Sequence, residues 1–235
     1  MRSGSAAPDQ PGGAGGASVR RPSWGSFFRS RPRVTAGGLI LLLGAAAYVV
    51  ASGAWRGPSA DPTRRAVVFL GDSITAGDGV APEVTFPNRL GASLGVPIWN
   101  AGISGDTTAG GLRRLDADVL AHRPRVVVVE LGVNDEVDHH RPAEETLATL
   151  RRITRRLRKT GVAVVLVYTP FGDFDHEIYR QGLRDLARRE RVRLVEHFYD
   201  GIVPSLTVDG LHPSAEGHAL LAQRMEPILR ELLGK

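Results

Sequence analysis

Residues 66–235 of this 235-residue chain predict an α/β fold, a parallel sheet covered by helices on both faces. Two observations carry the prediction. Short runs rich in Val, Ile and Leu alternate with segments of helical pattern along the whole stretch. Those runs are continuously apolar, as strands covered on both faces are, and do not alternate apolar with polar.

The first strand is Ala66-Val67-Val68-Phe69-Leu70. A helix follows over 86–94, and Val96-Pro97-Ile98-Trp99-Asn100 reads as a second strand, Pro97 marking its start or an edge. Residues 108–121 form a helix, with Leu112, Leu115, Val119 and Leu120 at helical spacing. Residues 126–131 hold four consecutive valines and, by that β-branched content, form the central strand. The helix over 142–159 opens on Glu144 and Glu145 and closes on Arg158 and Lys159, as a helix dipole prefers, and Gly161 stops it. Residues 162–168 are a strand, 175–189 a helix, and 192–195 a last short strand. Ser214 caps a final helix that runs to Leu233.

The formal charge of +5 is unevenly distributed. Residues 1–65 hold nine Arg and two Asp, and the remainder holds 21 Lys and Arg against 23 Asp and Glu. Residues 66–235 have no basic excess to indicate a nucleic-acid partner. Residues 1–33, rich in Gly, Ala, Ser, Pro and Arg, lack the apolar mass for a core and read as a disordered cytoplasmic leader. Residues 34–55 carry no charge over 22 positions, and as a helix would extend about 33 Å, enough to cross a bilayer core. Arg20, Arg21, Arg29, Arg31 and Arg33 precede them, which places the N-terminus inside and the following domain outside. Two readings stand, a retained signal anchor and the apolar core of a cleaved signal peptide ending near Ala51-Ser52-Gly53-Ala54; the length favours the anchor. The domain is therefore expected to be membrane-anchored and extracytoplasmic, or secreted if the leader is cleaved. Residues 56–65 form a linker. The chain has no cysteine, so neither a lipid-modified cysteine nor a disulfide is available.

Two distant segments carry the chemistry. Phe69-Leu70-Gly71-Asp72-Ser73-Ile74-Thr75 follows the first strand, and Asp209-Gly210-Leu211-His212-Pro213-Ser214 precedes the last helix. Together they supply a serine, a histidine and an aspartate, the minimum for nucleophilic acyl transfer. Ser73 would be the nucleophile, His212 its base, and Asp209 the group that fixes the tautomer of His212. Ligands of open parallel sheets bind beyond the carboxyl ends of the strands. The motif residues lie just after the first three strands, so one edge should gather them.

Two further blocks follow strand-like runs: Asn100-Ala101-Gly102-Ile103-Ser104-Gly105-Asp106-Thr107-Thr108 and Gly132-Val133-Asn134-Asp135. In order and spacing the four blocks resemble the SGNH (GDSL) hydrolase family. The stretch with Gly-Asp-Thr-Thr and Gly-Leu-Arg-Arg-Leu is similar in particular to its bacterial thioesterase I, lysophospholipase and arylesterase branch. The resemblance covers residue 66 to the C-terminus. It implies a flavodoxin-like three-layer α/β/α sandwich and an oxyanion hole made by the backbone N–H groups of Ser73 and Gly105 and the side-chain amide of Asn134. Gly105 also has a mechanical rationale, since a missing Cβ lets backbone approach a ligand.

Plainer roles stand beside these. Ser73 alone could be an N-cap, Asn134 could shape a turn (a role better suited to Asp135), and His212 could be a surface histidine. Asp72 reads as a support of its turn. Ser104, Ser205 and Ser214 lack motif support as nucleophiles, as do His122, His139, His140, His176, His197 and His218 as bases. Asp138-His139-His140 reads as a solvated loop, with no metal expected. The cluster Arg151, Arg152, Arg155, Arg156 and Arg158 reads as a solvated helix face before it reads as a lipid contact. The loops 78–87, 136–142 and 171–178 would set specificity, with Phe171 and Phe174 either at an acyl pocket or packed on the core.

The expectation is a serine esterase that hydrolyses carboxylic esters or thioesters, lipid-derived ones included, through an acyl-enzyme on Ser73 and with no cofactor. The same acyl-enzyme could instead pass its acyl group to a hydroxyl, or serve a carbohydrate O-deacetylase. A catalytically silent binding module is the reading from outside enzymology.

Overall fold

The computed structural model describes residues 66–235 except Asp138 and residues 171–175. The leader, the apolar run at 34–55, the linker and the Phe171/Phe174 pair lie outside the described residues. Among the described residues no helix is long and apolar enough to cross a membrane.

Five strands form one parallel sheet: β1 (Ala66–Gly71), β2 (Ile98–Gly102), β3 (Pro124–Glu130), β4 (Ala163–Val167) and β5 (Arg193–Val195). Their spatial order is β2-β1-β3-β4-β5, so the valine run is the middle strand as expected. Among the described residues, seven α-helices connect and cover them: α1 (Ser73–Ala76), α2 (Phe86–Leu94), α3 (Thr108–Arg114), α4 (Val133–Val137), α5 (Ala143–Lys159), α6 (His176–Glu190) and α7 (Ala215–Leu233).

Because side chains alternate along a strand, each run of apolar residues feeds two cores. Val67 and Phe69 of β1, with Val126, Val128, Val165 and Val167, pack under Phe86, Leu90 and Leu94 of α2 and Leu221, Met225 and Leu229 of α7. Val68, Leu70, Val127, Val129, Val164 and Leu166 pack under Leu150, Ile153 and Leu157 of α5 and Tyr179 and Leu183 of α6. This is the three-layer sandwich. Each such side chain contributes roughly 1.5–3 kcal/mol by leaving water. Phe86 anchors the first core, edge-on to Phe69 at 5.4 Å and to Phe198 at 5.2 Å.

Two elements differ from expectation. β2 begins at Ile98, two residues late, because Val96 still belongs to the end of α2: its N–H donates to the Gly91 carbonyl. Residues 108–121 do not make one regular helix. After α3 the backbone widens at Leu115–Val119 and tightens at Leu120–His122, then Arg123 turns left-handed before Pro124. The residue before proline disfavours helix, and the widened turn keeps Leu115 and Val119 both buried. In α5, Arg155 and Arg158 pair with Glu190, and Arg156 with Asp116, which fits the solvated face.

His218 is fully buried in the first turns of α7, where its Nδ1 accepts the Phe86 N–H at 3.2 Å. Burial first, then the charge of Arg89, pushes the imidazole down to about 4. A depressed histidine favours folding above its usual value of 6.5, and that contribution is lost as pH falls through about 4. We expect the wild-type stability to fall between these limits more steeply than that of His218→Asn, measured as urea midpoints against pH. Parallel slopes would remove His218 from the acid response.

Candidate active site

The sheet register brings the motif blocks to one edge. Gly71 at the end of β1 lies beside Gly102 of β2 and Glu130 of β3. Ser73, Gly105 and Asn134 follow these three strand ends within a few residues. Asn100 braces the junction: its Nδ2 donates to the Thr75 carbonyl at 2.8 Å and its Oδ1 accepts the Gly102 N–H at 2.9 Å.

Ser73 is the first residue of α1. The cap is Asp72, not the serine: Asp72 Oδ1 accepts the Ile74 N–H at 3.0 Å. Asp72 thus supports its turn, as the sequence indicated. Ser73 Oγ stands 2.9 Å from His212 Nε2, and His212 Nδ1 stands 2.7 Å from Asp209 Oδ2. Asp209 Oδ1 meanwhile accepts the N–H groups of Leu211 and His212 at 2.9 and 2.8 Å. Partial burial pushes the Asp209 carboxyl up, but the His212 ring and these two N–H groups outweigh it and hold the group at about 2. The carboxylate therefore accepts from Nδ1–H, which leaves Nε2 as the acceptor facing the serine hydroxyl.

The loop that carries this pair is clamped. Val208 N–H donates to the His212 carbonyl at 2.8 Å, Gly210 N–H to Thr207 Oγ1 at 3.0 Å, and Ser214 N–H to the Leu206 carbonyl at 2.8 Å. The Tyr199 hydroxyl donates to the Leu211 carbonyl. Ser214 also caps α7, its Oγ accepting the Gly217 N–H at 3.3 Å.

Asn134 Nδ2 donates to the Asp106 carbonyl at 3.0 Å and stands 3.4 Å from Asp72 Oδ2, so the amide lies between the two loops it was expected to serve. Gly105 adopts a left-handed φ of +72°, which explains glycine there better than close packing does, since among the described residues no atom beyond its two chain neighbours lies within 4 Å of the place a Cβ would take. Asp135 does more than shape its own turn. It is buried, and its two carboxyl oxygens accept the Thr108 Oγ1 and N–H at 2.6 and 2.7 Å, tying α4 to the start of α3.

The motif reading missed the supports. Asp106 accepts Arg114 Nε at 2.7 Å and its own neighbour's N–H from Thr107 at 2.9 Å, while Arg114 Nη2 reaches the Gly71 carbonyl at 3.1 Å. This brace joins the loop of Gly105 to the strand end before Ser73. A Cβ on Gly110 would fall 1.7 Å from Asp106 Oδ1. We expect Gly110→Ala to displace Asp106 and lower kcat roughly 10²-fold, with a lesser effect on KM, since small misplacements of reacting groups carry such losses. Unchanged kcat would show that the brace does not hold the catalytic loop. The other missed residue is Glu130. Its sequence signal was a carboxylate closing a run of four valines in a doubly covered strand.

The remaining candidates lie elsewhere or have plain partners. Ser104 Oγ donates to Asp78 Oδ1 at 2.6 Å, Ser205 sits in a short turn at Pro204–Leu206, and His197 Nδ1 lies 3.0 Å from Asp200. His122 stacks on half-exposed Trp99, and His139 and His140 are exposed. Among the described residues no cluster of metal-ligating side chains occurs.

A serine held against a histidine–aspartate pair, at the carboxyl edge of a parallel sheet in a three-layer sandwich, defines a serine hydrolase of the α/β class. The model of the GDSL-like lipase/acylhydrolase family matches residues 69–220, and the chain belongs to that family. It is 30% identical to the arylesterase of Vibrio mimicus over 67% of this chain and 84% of that protein. It is also 30% identical to the thioesterase 1/protease 1/lysophospholipase L1 of Escherichia coli (strain K12), over 71% of this chain and 84% of that one. Among solved structures, the crystal structure of TesA is similar at 29% identity and a TM-score of 0.66, with 72% of this chain and 99% of that chain covered. The protein is accordingly an ester hydrolase of the SGNH family.

Proposed function

We propose that the enzyme forms an acyl-enzyme on Ser73. Ser73 Oγ attacks the substrate carbonyl while its proton passes to His212 Nε2. The carbonyl oxygen becomes an oxyanion, received by the N–H groups of Ser73 and Gly105 and the Asn134 amide. His212 then gives its proton to the leaving alcohol or thiol as the C–O or C–S bond breaks. Water repeats the cycle: it attacks the acyl carbon, His212 takes its proton, and that proton returns to Ser73 as the acid leaves. The observation that carries this reading is the unbroken chain from Ser73 Oγ through His212 to Asp209, at 2.9 and 2.7 Å.

Aryl esters, acyl thioesters and single-chain lipid esters are the proposed substrates, a reading supported by the activities named for the relatives. The full chain should react with an active-site-directed fluorophosphonate and turn over p-nitrophenyl esters of rising chain length and acyl-CoA thioesters. A folded enzyme that neither labels nor turns over any of them would end the proposal. Residues 1–33 are proposed as a cytoplasmic leader and 34–55 as a membrane anchor, which would place the catalytic domain outside. The arginine flank and uncharged length support this. Intact mass of the cell-extracted protein would show whether the leader is retained, and recovery of the full-length chain from the soluble cytosol would refute the anchor.

A further inference from the structure

Glu130 ends β3 beside Gly71, so its side chain reaches the first residues of α1. Three fixed donors converge on its carboxyl group. Thr75 Oγ1 donates to Oε2 at 2.8 Å, Thr169 Oγ1 donates to Oε1 at 2.9 Å, and the backbone N–H of Asp72, one residue past the Gly71 that pairs with Glu130, is the third. Asp72 is buried just as completely but has fewer donors: the Ile74 N–H at 3.0 Å on Oδ1, and Asn134 Nδ2 at a long 3.4 Å from Oδ2. Two buried carboxyls in contact do not both ionise near neutral pH. The proton settles on the one whose charge is less well solvated by fixed donors, and the donor count assigns it to Asp72.

We propose that Glu130 is a positioning residue that keeps Asp72 protonated, and that the protonated Asp72 leaves the second amide hydrogen of Asn134 free for the oxyanion. The proposal rests on the reading of Asn134 as an oxyanion donor. An ionised Asp72 would act against catalysis in two ways. It would draw the Asn134 amide into a charge-assisted bond, and it would set a full negative charge beside a developing one in a site of low dielectric. With its proton directed at Glu130, Asp72 is engaged as a donor. The first Asn134 hydrogen is held by the Asp106 carbonyl at 3.0 Å, and the second faces only a weak acceptor. Burial, then the Glu130 charge, holds Asp72 well above the usual carboxylate range. Burial pushes Glu130 up to about 7 against the pull of its threonine donors. The other titratable and charged groups around the pair are His212 beside Asp72, the tyrosines Tyr179 and Tyr199, both held neutral by burial, Asp135 near Tyr179, and Arg114, which is bound to Asp106 and Gly71.

The test uses the full chain labelled with ¹³C at the Asp and Glu carboxyls. At about pH 8, well above the ordinary carboxylate range, Asp72 should show the resonance of a protonated acid, assigned by its loss in Asp72→Asn, while Glu130 shows that of a carboxylate. In Glu130→Gln the new amide donates to Asp72 and moves the charge onto it. We expect kcat to fall about 10²-fold with KM changed only a few-fold. Adding Asp72→Asn should recover most of that loss, because the asparagine cannot ionise, whereas two disruptions of a merely structural pair would compound. An ionised Asp72 at about pH 8, or a double variant no better than Glu130→Gln, overturns the proposal. If Glu130→Gln fails to fold, the wild-type resonance decides. Asn134→Ala, run alongside, should lose about 10²–10³ in kcat. Full activity there would remove the oxyanion reading itself, and is told apart from failure of the proposal by the Asp72 resonance.

Discussion

Ser73→Ala is expected to lower kcat on p-nitrophenyl esters by about 10⁵–10⁶-fold while leaving the thermal midpoint nearly unchanged. The expectation of intact structure comes from position. Ser73 is the first residue of α1, the cap is Asp72, and the serine hydroxyl faces His212 Nε2 at 2.9 Å. Alanine fits a first helical position, and the imidazole it leaves behind remains partly open to water. Residual turnover would come from the proposed oxyanion donors acting on bound substrate with water as nucleophile. Fluorophosphonate labelling should vanish with the activity. Turnover within tenfold of wild type would show that another group receives the acyl chain.

Asp209→Asn should cost about 10⁴ in kcat with little change in KM, and the geometry says why. The backbone N–H groups of Leu211 and His212 both point at Oδ1. An asparagine must therefore keep its carbonyl oxygen there and turn its NH₂ toward His212 Nδ1. That nitrogen becomes an acceptor, the ring proton moves to Nε2, and Nε2 can no longer take the proton of Ser73. ¹⁵N spectra of the imidazole should show the exchanged tautomer. In wild type the depressed Asp209 carboxyl keeps its charge until pH falls through about 2, so its support of His212 persists across the working range. A loss under tenfold in the asparagine variant would remove Asp209 as the orienting group.

What the sequence made legible, and what it hid, follows the range of the interactions. The strands showed because a doubly covered strand must be continuously apolar, and Val126 to Val129 satisfy that without reference to any other segment. Asp209 and His212 showed because they are three residues apart in one turn. The supports did not show. Glu130 meets Thr75 across 55 positions, Arg114 meets Gly71 across 43, and Asp135 meets Thr108 across 27. Each is polar chemistry created by strand register, and a single sequence carries no record of register. The helix expected over 108–121 ends where the proline at 124 requires it to, but its widened turn at Leu115–Val119 has no local signal in the sequence.

The clamped turn that holds Asp209 and His212 also bears on how the enzyme fails. Base and orienter travel together on one short segment, so mild denaturant should leave that pair assembled. Ser73 belongs to the opposite end of the domain's sequence and meets His212 across 139 positions. The serine–histidine contact thus depends on how α7 and its preceding loop are seated on the sheet. Slight loosening of that seat opens the serine–histidine gap while circular dichroism still reads as native. Inactivation should run ahead of unfolding, and a ligand that bridges Ser73 and His212 should close the interval between the two.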